Sequence, residues 1–177
     1  MRIAIALFLF VVAIRAACAA PEVSAPARTS EFQQAALNID VEGIKLGMTP
    51  EQVAALGAKL IRESALDNPQ AKVVGYHCDG FQQLGMAMLS FCDGKLYRIN
   101  VAYDPDTLQK IGGWEAIHHR MVATLGESRD SDETAVWTFL DVDRAFFLKK
   151  RKETVILSIS NLAVEREVRQ RKGNLGF

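Results

Sequence analysis

The stretch "EGIKLGMTPEQVAALGAKL", residues 42–60, decides how the chain folds. Val41, Ile44 and Leu46 suit a short strand, and Gly47 permits the turn that follows. Thr49 is an N-cap residue, Pro50 takes the first helical position, and Gln52 completes a Thr-x-x-Gln capping box. Val53, Leu56 and Leu60 then recur at helical spacing, while Gly57 either closes this helix or marks a close contact inside it.

Further along, "GMAMLSFCDGKLYRINVAY" at 85–103 carries Asp93-Gly94, a strong type I′ turn signal between two strand-like runs. A hairpin pairing Cys92 with Lys95 places Met86, Met88, Tyr97, Ile99 and Val101 on one face. The other face takes Ala87, Leu89, Phe91, Leu96, Arg98 and Asn100. A second helix is expected after Asp104-Pro105, with Trp114, Ile117, Met121 and Leu125 at helical intervals and Gly126 as C-terminal cap; Gly112-Gly113 is where it would break. Three strands, "AVWTFL", "RAFFLKK" and "TVILSIS", follow, linked through Asp141-Val142-Asp143 and the turn around Lys152. "VAALG" at 53–57 and "VATLG" at 122–126 each end a helix ahead of a run of strands, which reads as a repeat. The fold class is therefore α+β: tandem helix-plus-strands units, 39–103 and 104–161, forming one antiparallel sheet with the long helices on one face. Trp114 and Trp137 should both be mostly buried, and 162–177 forms a charged tail or a helix ending at Gly173.

The N-terminus reads as a signal peptide over 1–19: Arg2, an apolar run from Ile3 to Ile14, then Ala17-Cys18-Ala19 before the cut. Lipid attachment at Cys18 is the second reading, because Arg15 stands where bacterial lipoproteins carry leucine. Residues 20–38 read as a flexible leader with a helical turn near Phe32, and order is expected from Ile39. The location implied is periplasmic or secreted, with no transmembrane segment after cleavage. The chain has 21 basic and 21 acidic residues; losing Arg2 and Arg15 leaves 19 against 21, a net charge of −2. That balance argues against a general nucleic-acid binder, which needs a basic face for phosphates. Cys78 and Cys92 remain, and an even count in an exported chain suggests a disulfide. The bond requires 79–85 to be a real loop, since a plain hairpin would hold the two sulfurs roughly 20 Å apart.

"GIKLGMTPEQVAALG", Gly43 to Gly57, resembles the Gly-Met-Thr helix start of the SmpA/OmlA group of bacterial envelope proteins. That group shares a small helix-and-sheet fold with the beta-lactamase inhibitor proteins, and the tandem echo is similar to the inhibitor arrangement of two like units. The resemblance implies action through protein contacts and no catalytic site. The match covers roughly a tenth of the chain, and its residues also make ordinary capping chemistry. The outer-membrane assembly members are lipoproteins, a point on which this chain departs from them.

Candidate chemistry is sparse. His118 and His119 are adjacent, so on a helix they point about 100° apart and do not chelate one ion; Glu115 and His119 have the right spacing but lack a third ligand. No Gly-x-Ser-x-Gly elbow and no lysine-bearing glycine loop is present, and Asp104 and Asp106 suit a helix start. No cofactor or metal is expected. The basic run Lys149 to Lys152 reads as a solvated hairpin tip. The sheet is more informative. Turn geometry puts Trp137, Phe139, Phe147, Val155, Leu157 and Ile159 under the helices, leaving Leu89, Phe91, Leu96, Phe146, Leu148 and Ile156 opposite, among Arg98, Asn100, Thr138 and Ser158. A face this apolar needs a cover, so Phe91, Leu96, Arg98, Phe146 and Leu148 are the expected contact residues for a partner protein or second copy. Phe81, in "CDGFQQLG", is either an exposed anchor for the same partner or part of the core edge. The function expected is an exported protein-binding module (an inhibitor, an immunity-type protein or an envelope-assembly accessory) without catalysis. The rivals are a secreted enzyme with an unrecognised site and a carrier of an apolar ligand.

Overall fold

The computed structural model describes residues 30–79, 86–131 and 133–173. Residues 1–29, with the expected signal segment, Cys18 and most of the expected leader, lie outside the described residues, as do Phe81 and the last four residues. Among the described residues no helix is long and apolar enough to cross a membrane.

The described residues include α1 (Ser30–Asn38), so the C-terminal part of the expected leader is a helix. The capping box then forms as its residues dictate. Thr49 Oγ1 accepts from the Gln52 backbone N–H at 3.3 Å, and Gln52 Oε1 accepts from the Thr49 N–H at 2.9 Å. The helix it starts, α2 (Pro50–Ala54), is short. The chain turns through Gly57 into β1 (Lys59–Arg62), so Leu60 belongs to a strand and not to a helical stripe. Next come β2 (Val73–Asp79), β3 (Met86–Cys92) and β4 (Lys95–Tyr103). Gly112, at φ +90°, separates α3 (Pro105–Ile111) from α4 (Gly113–Leu125). Then follow β5 (Arg129–Ser131), β6 (Thr134–Phe139), β7 (Arg144–Arg151), β8 (Thr154–Asn161) and α5 (Leu162–Gly173).

All eight strands form one antiparallel sheet in the order β1-β2-β3-β4-β8-β7-β6-β5. Each half is a helix followed by four strands wound outward-to-centre, and the halves join where β4 pairs with β8. Side chains in register across the sheet share a face. One row runs Tyr76, Leu89, Ile99, Ile159, Phe146, Trp137, and the next Cys78, Ala87, Val101, Leu157, Leu148, Ala135. Nearly all of these are buried, together with Ala36 of α1, Val53 of α2 and Ile117 and Leu125 of α4, so the helices that open both units lie on this face. Gly126, at φ +77°, ends α4, and a side-chain carbon there would meet the Phe32 ring at 3.0 Å; the glycine lets α1 seat against α4. Its carbonyl accepts from Trp137 Nε1 at 2.8 Å, so the fully buried indole keeps its hydrogen bond. Trp114 is only half-buried, stacked on His118.

Two one-residue offsets change which side chains share that face. A bulge between Ser90 and Phe91 sets Phe91 opposite Leu96 but Leu89 opposite Ile99. Four residues, Leu140 to Asp143, connect β6 to β7, so Trp137 pairs with Phe146 and not with Phe147. Phe91, Leu96, Phe146 and Leu148, expected as the exposed contact set, are therefore core residues no more than 2 % accessible. Phe147 is the exposed phenylalanine. A second difference is α5, whose Val168 and Val164 pack against Ala71, Val73, Cys92 and Tyr97 on the opposite face.

The cysteines also differ from expectation. Cys78 pairs with Ala87 and faces the main core, while Cys92 pairs with Val73 and faces α5. Both are free. Cys78 lies five positions along β2, about 16 Å, from Val73, the partner of Cys92, and the two side chains face opposite sides of the sheet, so this register does not bring the sulfurs within bonding distance. Burial pushes the Cys78 thiol up to about 11 and also raises Cys92. In a chain without residues 1–19, a thiol reagent added at neutral pH should therefore react slowly with both, and unfolding should release two titratable thiols; an oxidised pair by intact mass would contradict the register. Phe146→Ala should cost about 3–5 kcal/mol in urea unfolding, as for a large aromatic removed from a close-packed interior.

Candidate functional site

The sheet face away from α1–α4 is the candidate, and α5 divides it in two. Glu165, 8 % accessible, is met by Arg98 of β4, whose Nε and Nη2 donate to Oε1 at 2.9 and 2.6 Å. Arg169 lies 3.5 Å from the other carboxylate oxygen. At the far end Arg171 donates to the Ala71 carbonyl at 3.1 Å and to Asp93 at 2.8 Å. The Arg171 hydrogen bond, then that of Lys72, holds the Asp93 carboxyl below the usual range. The helix thus covers the face from β8 across β4 and β3 to the start of β2.

Beyond α5 the face is open. In register order its side chains are Met86 and Met88 on β3, Ala102 on β4, Ile156 on β8, Phe147 on β7 and Val136 on β6. Met86 is 46 % accessible and Phe147 36 %, and the others are partly exposed. Asn100 and Ser158 lie between them, tied by a 2.7 Å hydrogen bond. Lys149 and Arg151 of β7 and Arg129 of β5 share this face, from the alternation along each strand and the cross-strand register. Of the expected contact residues among the described residues, Arg98 alone stands on this side, and there it anchors α5; Phe81 lies outside the described residues. Ile156, Asn100 and Ser158 stand on the side that regular alternation gives them, whereas Met86, Met88 and Phe147 do not, because the bulge in β4 and the length of the β6–β7 connection each reverse a face. The tyrosine-arginine pair at 97–98, two large side chains in succession after a glycine turn, is the one local signal of the bulge.

His118 forms the other polar cluster. Its ring stacks on Trp114 at 5.7 Å and lies 5.9 Å from Trp137. Ser128 Oγ and Asp130 Oδ2 are each 3.3 Å from it, but both contacts fall on Nε2. A serine nucleophile relay places hydroxyl and carboxylate on different ring nitrogens. This arrangement fastens the start of β5 to α4. His119 is exposed, and no group of three or more metal-ligating side chains occurs among the described residues.

Removing one member of the α5 anchor should be asymmetric. Arg98→Ala leaves the buried Glu165 carboxylate with Arg169 alone and should cost about 3 kcal/mol, more than Glu165→Ala, which leaves the better-hydrated arginine. Hydrogen exchange along 162–173 before and after each change measures the difference.

No family model, no curated protein and no solved structure matches this chain.

Proposed function

We propose that the chain is a protein-binding module of the cell envelope that docks an acidic partner protein on its open sheet face. The observation that carries this reading is the half-exposed strip from Met86 to Val136, which crosses the seam between the two units and has no helix over it among the described residues. Methionine and phenylalanine flanked by arginine and lysine have the composition of a contact surface. Lys149, Arg151 and Arg129 give the second unit's half of the face a positive edge, which favours an acidic partner and sets like charges against each other in a symmetric self-pair. The resemblance of Gly43–Gly57 to envelope proteins that act through contacts agrees with this reading. An inhibitor, an immunity-type protein and an envelope-assembly accessory all fit it, with export supplied by the signal-like segment 1–19.

The test compares the wild-type chain with Phe147→Asp and Ile156→Asp, as bait in envelope extract and in analytical ultracentrifugation. Both variants should keep the wild-type unfolding transition within about 1 kcal/mol, since neither side chain belongs to the core. A partner released by either substitution, and by added salt, supports the reading. Capture unchanged in both variants, or concentration-dependent dimerisation abolished by them, rejects the acidic-partner reading.

A further inference from the structure

On the helix-covered side the packing leaves a gap. A cavity of about 300 Å³ lies between α4, the end of α3, the turn at 39–42 and the sheet. Leu157 and Ile159 of β8 and Tyr103 of β4 form its floor, and Ile111, Ile117 and Met121 one wall. The opposite wall is a tight turn: Val41 and Ile44 exchange backbone hydrogen bonds of 3.0 Å, and Asp40 Oδ1 accepts from the Gly43 N–H at 2.8 Å. These bonds fix the shape of the turn, whose Val41 and Ile44 are buried in the core.

Besides these apolar side chains the lining holds Tyr103, Thr124 and the exposed Arg120, Asp40 and Glu42. Arg120 bridges the joint between α3 and α4, its Nε donating to the Ala116 carbonyl at 3.2 Å and its Nη2 to the Ile111 carbonyl at 2.7 Å. Both contacts are carbonyl oxygens, so among the described residues no carboxylate neutralises the guanidinium by direct contact. Burial raises the Tyr103 phenol, with the Arg120 charge acting against that and Glu42 adding to it more weakly. The hydroxyl therefore stays protonated and able to donate. Asp40 and Glu42 also line the cavity; their carboxylates act against the charge of any anion, most strongly a multiply charged one, and offset part of the Arg120 attraction for a single charge.

We propose that this cavity binds a small amphipathic monoanion: a medium-chain carboxylate whose alkyl chain lies on Leu157, Ile159 and Ile117 and whose head group takes hydrogen bonds from Arg120 and Tyr103. At about 300 Å³ the cavity sits at the small end of ligand pockets, which suits a medium-length chain rather than a large ligand. The site is on the other side of the sheet from the proposed partner face and does not depend on it.

Isothermal titration with octanoate, 1-octanol and octylamine tests this, since the three probes share a chain and differ only in head group. Octanoate should bind about tenfold more tightly than either, ~1.4 kcal/mol. Arg120→Met should weaken octanoate about tenfold and leave octanol unchanged. Tyr103→Phe removes only a hydroxyl, so it decides the matter should Arg120→Met unfold through its loss of the helix-joint bonds; a loss of about threefold is expected. Ile117→Trp, filling the cavity, should abolish binding of all three. No octanoate binding at millimolar concentration, equal affinity for octanoate and octanol, or octanoate affinity unchanged in Tyr103→Phe and in any folded Arg120→Met overturns the proposal.

Discussion

One extra residue in β4 arranges both sides of this molecule. The bulge opposite Phe91 turns Leu96 into the helix-covered core while sending Tyr97 and Arg98 together to the other face. On the core side, β8 stops pairing at Arg98, and the backbone of Leu96 beyond it is taken up by the opening segment: the Gly47 N–H donates to the Leu96 carbonyl at 2.7 Å, and the Leu96 N–H to the Met48 carbonyl at 2.8 Å. On the far side, Arg98 reaches the buried Glu165 and Tyr97 packs near Val168. A bulge leaves one residue out of the ladder and kinks the strand. Here that kink positions the capped helix on one side and seats the C-terminal helix on the other.

The seam between β4 and β8 makes the two units one body. Its pairs Ile99–Ile159 and Val101–Leu157 carry the core across the joint without a gap, and Trp137 and Phe146 continue the same row into the second unit. The units are unequal in cover. The first is opened by the short α2, the second by the longer α4, with α1 packed beside it and Phe32 against Gly126. A sheet needs its apolar face buried, and the N-terminal helix supplies part of that burial although it precedes both units in the chain.

Much of this was legible in the residues. Thr49, Pro50 and Gln52 announce a helix start, Asp93-Gly94 a two-residue turn, and Gly112-Gly113 a break, because each rests on local backbone chemistry. Antiparallel pairing and the three C-terminal strands followed from spacing. Which face each strand turns inward did not, since strand side chains alternate with a period of two and a single slip reverses every one beyond it. The bulge at Ser90/Phe91 and the length of the 140–143 connection are such slips. They place Phe91, Leu96, Phe146 and Leu148 in the core and turn Phe147 outward, while Ile156 keeps the outer face that alternation gives it. The register also parts Cys78 from Cys92, which an even cysteine count cannot foresee. The Arg120–Tyr103 cavity had no sequence signal, because its members come from separate elements and the gap exists only through their packing.

The open face follows from length. The twelve residues of α5 make a helix about 18 Å long at ~1.5 Å per residue. Eight strands at ~4.8 Å spacing span about 34 Å between the outermost pair. Starting from β8 and running toward β2, α5 reaches across the first unit and ends where Arg171 meets Asp93 and the Ala71 carbonyl. It has no length left for β7, β6 or β5, and its path along one end of the strands leaves Met86 and Ile156 beyond its edge. A polar lining would suit such a surface if it were only solvated. Instead the centre carries methionine, isoleucine and phenylalanine, with its polar pair, Asn100 and Ser158, bonded to each other. That composition is the reason for assigning the face to a contact rather than to water.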